Sequence, residues 1–144
     1  MDTSAARRGA LLVELVLTLA LMGLVMAIAV PSVRTIMDRM NVAGATRDVV
    51  LGLWAARNAA TTRGDFASFV VDSRTGRIRV VSGYDTLFFR DLAARRGVTV
   101  AVTRDSVTYA PTGMGYGAAN TRIIVSRGRR ADTITTSRLG RVSF

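Results

Sequence analysis

The run from Ala10 to Val30 is apolar except for Glu14 and Thr18. As a helix it spans roughly 31 Å at about 1.5 Å per residue, close to the hydrocarbon thickness of a bilayer. Glu14 is the only glutamate in the 144-residue chain. A charged side chain well inside such a helix costs on the order of 2.5–3.5 kcal/mol, less near an end. A partner cation is therefore expected, and the run contains none. Arg7 and Arg8 precede Gly9. A cut after Gly9 would remove both and leave a new amino terminus at Ala10, one helical turn from Glu14. Either that amine or a neighbouring chain's could then pair with the carboxylate. Between staggered helices in a filament, a neighbour's amine would also set the stagger between subunits.

Two plainer readings compete. A secretory signal peptide could end at the small residues of Ala27-Ile28-Ala29, but its apolar region is usually about 7–15 residues long. The run here is longer and carries Glu14. A simple single-pass anchor leaves the Gly9 spacing and Pro31 unexplained.

The short basic leader, Gly9, a glutamate five residues beyond it and the unbroken apolar helix together resemble the type III signal of type IV prepilins and type II secretion pseudopilins. Gly23 and Pro31 fall where pilin helices often carry a glycine and a proline. Ala10 departs from the family's usual phenylalanine. The resemblance implies cleavage by prepilin peptidase between Gly9 and Ala10, N-methylation of Ala10, and a role for Glu14 in filament assembly.

Beyond the leader and anchor about 114 residues remain, enough for one domain with a modest core. The chain has no cysteine and no histidine, and its twenty basic residues are all arginine. No disulfide or thiolate site exists, and general acid–base chemistry would have to rest on scattered aspartates. No G-x-S-x-G serine and no metal-ligand spacing is present. Gly113-x-Gly115-x-Gly117 does not open a helix or end in GK[ST], so it is not read as a nucleotide loop. An enzyme is not expected, and no catalytic, cofactor-binding or metal residue is assigned.

The net charge is +10. Over most of the chain aspartates interleave with the arginines, which marks a solvated basic surface. The last quarter differs. Arg122, Arg127, Arg129, Arg130, Arg138 and Arg141 are offset only by Asp132. Serine and threonine hydroxyls, which can contact phosphates, lie between them. Arg127-Gly128-Arg129-Arg130 would form a turn presenting several guanidinium groups. Arg127, Arg129, Arg130, Arg138 and Arg141 are thus candidate DNA contacts. Tyr109 and Tyr116 are the only nearby tyrosines.

Pro31 removes a backbone donor and should kink or loosen the helix, which is expected to resume after it. Val33, Ile36, Met37, Met40, Ala43, Val50, Leu53 and Trp54 recur at helical steps and predict a face packed on the domain's own sheet. The helix should end near Arg63, with Gly64 as its cap. Period-two runs follow at 66–71 and 77–81 around the turn Asp72-Ser73-Arg74-Thr75-Gly76. A short strand at 87–90, a helical turn at 91–96 closed by Gly97, and strands at 98–103 and 106–110 come next. A flexible glycine-rich loop at 111–117 and strands at 121–126, 132–137 and 141–144 complete the chain. The expected fold is α+β and pilin-like: one long N-terminal helix, with a membrane half and an amphipathic half, packed on a C-terminal antiparallel β domain. The expected divisions are a leader at 1–9, a transmembrane and filament-core helix at 10–30, its amphipathic continuation at 31–64, and a β domain at 65–144.

Val107-Thr108-Tyr109-Ala110-Pro111-Thr112-Gly113 resembles the strand–Pro–x–Gly segment of H-type minor pseudopilins and FimT-like minor pilins. Ile134 to Val142 resembles that family's terminal strand and Gly-Arg turn. The resemblance implies a minor pseudopilin of a type II secretion system, a structural subunit of a short hetero-oligomeric filament with other pseudopilins or pilins. It implies a single-pass inner-membrane protein with the leader cytoplasmic and the β domain periplasmic. The alternative is a minor type IV pilin that binds DNA during uptake through the C-terminal arginines.

Overall fold

The longest element is helix α1, Thr3–Arg63. The computed structural model describes the backbone of residues 3–117 and 119–144, and the side chains from Leu11 onward except Ala118. From Leu11 to Met37 every residue of α1 is exposed within the chain. Among the described residues this is the one helix long and apolar enough to cross a membrane. Its hydroxyls bond to their own helix: Thr18 Oγ1 donates to Leu15 O at 2.8 Å, Ser32 Oγ to Ile28 O at 3.1 Å and Thr35 Oγ1 to Pro31 O at 3.0 Å. Such bonds leave no free donor on these side chains to face lipid. Pro31 has no N–H to offer the carbonyl of Ala27, and the helix is assigned without a break across it.

The chain divides into two compact units, Met1–Met37 and Asp38–Phe144. In the second unit α1 buries one side. Val42, Ala45, Val49, Leu53, Ala56 and Ala60 are buried in the core. This corrects the predicted apolar face. Val50 and Leu53 are buried, but Val33, Ile36, Met37, Met40 and Trp54 are all more than half exposed. Small residues set the true face, because they let the helix approach the sheet closely. At Gly52 an added Cβ would lie 2.5 Å from Cε2 of Phe69. Alanine and glycine add little to a hydrophobic pattern, so the large exposed side chains dominated the periodicity. The helix ends at Arg63, as predicted, and Gly64 follows with φ +66°.

The remaining elements are β1 (Ala67–Asp72), β2 (Arg77–Ser82), β3 (Asp85–Asp91), α2 (Leu92–Arg96), β4 (Thr99–Val102), β5 (Ser106–Tyr109), β6 (Gly115–Tyr116), β7 (Thr121–Arg127), β8 (Arg130–Thr136) and β9 (Val142–Ser143). They form a five-stranded sheet in the order β3-β2-β1-β5-β6 and a four-stranded sheet in the order β4-β7-β8-β9. All pairings are antiparallel. The predicted hairpin around 72–76 is β1–β2, with Asp72 opposite Arg77. Asp72 Oδ1 accepts from the N–H groups of Arg74 at 3.0 Å and Thr75 at 3.3 Å, which shapes the turn.

Two further predictions needed the tertiary structure. β4 and β5, adjacent in sequence around Arg104-Asp105, lie in different sheets: β4 pairs with β7 and β5 with β1. The loop at 111–117 is not wholly free. Ala110 N donates to Met114 O at 2.8 Å, and Tyr109 faces Gly115 as β6 pairs with β5. Phe69, Ile78, Val80 and Val107 from the first sheet join Val100, Ile123, Val125 and Ile134 from the second, with Leu53 of α1, in one buried cluster. The α+β architecture of one long helix packed on an antiparallel β domain is therefore the one this chain adopts.

Candidate functional site

The first candidate group lies on the apolar half of α1. Gly9 and Ala10 fall on its helical backbone, but their side chains are outside the described residues. Glu14 is exposed, and among the described residues its carboxylate has no hydrogen bond or ion pair. Farther along, on the Asp38–Phe144 unit, α1 presents Leu51 and Trp54 at 55% and 63% exposure, beside Asn58 and Thr61 in an open groove. A large exposed indole on a helix whose opposite side is buried marks a surface suited to another protein element.

The second candidate group, the C-terminal arginines, is divided by the sheet. β7 and β8 form a hairpin in which Arg127 faces Arg130. Its turn carries Gly128 at φ +57°, where an added Cβ would also lie 2.6 Å from Asp38 Oδ2. Arg127 turns toward α1. Its Nε donates to Asp38 Oδ1 at 2.8 Å, and its Nη1 donates to the carbonyl of Arg96. The hairpin therefore presents Arg129 and Arg130, which are exposed and whose side chains have no partner among the described residues. Arg138 and Arg141 lie in the turn between β8 and β9. The length of β8 puts them roughly 20 Å from the hairpin tip at about 3.3 Å per residue. Arg122 points outward from β7 near that same far end, opposite Thr135. Two separated basic groups thus replace the single cluster suggested by the spacing.

Tyr109 cannot serve as a stacking surface. It is buried, and that burial pushes its phenol pKa above the ordinary value, with Arg57 opposing the shift. Tyr116 lies on β6, in the sheet that does not carry these arginines.

Sequence reasoning missed the polar links that fasten α1 to the β domain. Besides Asp38–Arg127, Arg96 Nε donates to Asp48 Oδ2 at 2.9 Å and Thr46 Oγ1 to Asp132 Oδ2 at 3.2 Å. Asp38 and Asp48 on a largely apolar helix were the available signal. Their partners, 48 to 89 residues away, could not be read from the chain order. Among the described residues no group of three or more metal-ligating side chains comes together.

This arrangement of one long N-terminal helix, half uncovered and half packed on two antiparallel sheets, is a pilin-like fold. The type IV minor pilin FimU of Pseudomonas aeruginosa has it in one crystal form at a TM-score of 0.63 and 14% identity, over 75% of this chain and 90% of that one. A second crystal form of FimU gives 0.56 and 14%, over 70% and 89%. The minor pseudopilin EpsH from the Type 2 Secretion System of Vibrio cholerae gives 0.52 and 11%, over 69% and 91%. No family model and no curated protein matches the sequence. At these identities the likeness defines the fold.

Proposed function

We propose that this chain is a minor subunit of a short pilin-like filament of the bacterial envelope, in its finer reading a minor pseudopilin of a type II secretion system. The observation that carries the reading is Glu14: an exposed carboxylate without a described partner, on an uncovered membrane-length helix joined to a pilin-like domain. Prepilin peptidase cuts after Gly9 and the amine of Ala10 is methylated. That amine, on a neighbouring subunit, pairs with Glu14 and sets the register of helices in the filament core. The helix is drawn from the inner membrane, with the β domain on the periplasmic side. Likeness to both a minor pilin and a minor pseudopilin supports the class, and the exposed groove at Leu51 and Trp54 supports lateral contact with other subunits.

Mass spectrometry of the membrane-extracted protein tests the processing step. The expected first residue is a methylated Ala10, and any other start overturns it. Glu14→Ala is expected to insert and be cleaved but to co-purify poorly with partner subunits. Normal co-purification would remove the pairing role.

A second reading, DNA binding during uptake, is favoured by the exposed side chains of Arg129 and Arg130 at one end of the second sheet and Arg138 and Arg141 at the other. Binding of this kind falls steeply with salt. Arg129→Ala with Arg130→Ala is expected to weaken it for all sequences and to lower the salt slope by about one for each phosphate no longer neutralised. Unchanged affinity and slope would exclude the hairpin as the DNA-binding element.

A further inference from the structure

The membrane-length run of α1 ends at Val30, and the β domain takes hold of the same helix at Asp38, eight residues later. The hold is the β7–β8 hairpin. Arg127 Nε donates to Asp38 Oδ1 at 2.8 Å, and its Nη1 donates to the carbonyl of Arg96 at the end of α2. Arg127 faces Arg130 across a two-residue turn, in which Gly128 has φ +57° and Arg129 a negative φ. That is the pattern of a type II′ hairpin, a tight turn. The tip is thereby fixed against α1 beside Arg39.

With Arg127 committed to this clamp, the arginines around it are left outside. Arg39, Arg95, Arg129 and Arg130 are exposed, and their side chains have no partner among the described residues. The nearby carboxylates are already engaged. Asp38 holds Arg127, Asp48 holds Arg96 at 2.9 Å, and Asp132 accepts from Thr46 Oγ1 at 3.2 Å. Of these three only Asp132 lacks an arginine, so four unpaired arginines stand against one carboxylate. The turn itself, Gly128 to Ala131, carries no large apolar side chain. It suits a polar, anionic surface and not hydrocarbon.

Distance decides which surface that is. Eight residues of helix rise about 12 Å, and any tilt or bend shortens the height above the bilayer. The headgroup layer takes up roughly 5–7 Å of that height. About 6 Å remains, inside the Debye length of about 8 Å at physiological salt. This reach is set by the number of residues between Val30 and Asp38. The other basic group is out of range. Arg138 and Arg141 flank Gly140, whose carbonyl accepts from Arg57 Nη1 at 3.5 Å. Arg57 lies nineteen residues beyond Asp38, about 29 Å farther along α1. A DNA duplex at the hairpin, with one negative charge per about 1.7 Å, would be pressed against a like-charged bilayer.

We infer that the β7–β8 hairpin docks on anionic phospholipid headgroups, with Arg129 and Arg130, aided by Arg39 and Arg95, holding the β domain against the leaflet from which α1 emerges. The inference rests on α1 crossing the membrane, and it competes with the DNA reading for Arg129 and Arg130.

The chain has no cysteine, so one introduced thiol takes one label. The full chain carrying Ala131→Cys is labelled with a fluorophore and reconstituted into vesicles containing a headgroup-nitroxide lipid. The vesicles are phosphatidylcholine alone, or phosphatidylcholine and phosphatidylglycerol in equal parts. Quenching is expected to be strong only with phosphatidylglycerol and to fall as salt is raised. Arg129→Gln with Arg130→Gln is expected to weaken docking about fivefold for each arginine removed. Arg138→Gln with Arg141→Gln removes the same charge from the far turn and should change nothing. All four side chains are exposed, and unchanged melting will show that the variants are folded. Equal quenching in both vesicles, or equal effects of the two double variants, overturns the inference. So does a label that ignores phosphatidylglycerol but responds to added duplex DNA through Arg129 and Arg130, which assigns the tip to nucleic acid. Flotation separates the underlying reading. A chain that floats with both vesicles but is quenched in neither loses only the docking, and one that floats with neither loses the membrane span as well.

Discussion

The two parts of α1 obey opposite rules within one helix. From Leu11 to Met37 the side chains are mostly apolar and all exposed, and the hydroxyls of Thr18, Ser32 and Thr35 bond to their own helix backbone. From Asp38 to Ala60 the buried side is made largely of valine, alanine and glycine, and aspartates reach across to arginines of the β domain. The first part is suited to lipid or to other helices, where bulky apolar surface is an asset. The second is suited to a sheet, where close approach matters more than bulk. The difference teaches that exposed leucines and methionines can mark a functional surface, while a run of alanines can mark a core.

The largest expected contrast comes from deleting one apolar side chain in each part. Phe69→Ala removes the ring on which the second part of α1 packs, and should cost about 3–5 kcal/mol of domain stability. Leu21→Ala should leave the domain's thermal unfolding in detergent unchanged. Equal melting shifts from the two would erase the distinction. Gly52→Val comes next, since its side chain would collide with Phe69. A loss of about 1–3 kcal/mol is expected in the same melting experiment.

The ion pair at the start of the second part gives a smaller and more specific signal. Asp38→Arg or Arg127→Asp should each cost about 1 kcal/mol, because the pair is only partly buried. The two together should recover part of that loss, read as a coupling in a double-mutant cycle. Simple additivity would mean that the pair does not fasten the helix.

The smallest effect is an acid-side dependence confined to the β domain. The hydrogen bond from the Thr75 side chain, and then that from the Thr75 backbone, hold the Asp72 carboxyl below its ordinary 3.8. The Ala94 N–H at the start of α2, then Arg77, does the same for Asp91. A carboxylate with a depressed folded-state pKa stabilises the fold above its unfolded value and loses that contribution as pH falls through the folded one. A small loss of stability beginning near pH 4 and growing below it is expected, and Asp91→Asn should flatten it. An unchanged acid limb in that variant would remove Asp91 as a contributor.

The amino-acid sequence by itself determined the features that depend on neighbours along the chain. These include the membrane-length helix with its lone Glu14, the end of α1 at Arg63, the β1–β2 hairpin around Asp72, and the short α2 before Gly97. Each follows from local hydropathy, turn chemistry or capping, and each appeared where it was expected. Tertiary structure alone decided which side of α1 is buried, because the sheet selects small residues that carry little periodic signal. It alone placed β4 and β5 in different sheets, because strand pairing is chosen by partners far away in sequence. It also turned Arg127 from the basic hairpin toward Asp38, leaving Arg129 and Arg130 outside. An arginine's sequence position records its charge, and only the folded chain decides whether that charge is already spent on a carboxylate 89 residues away.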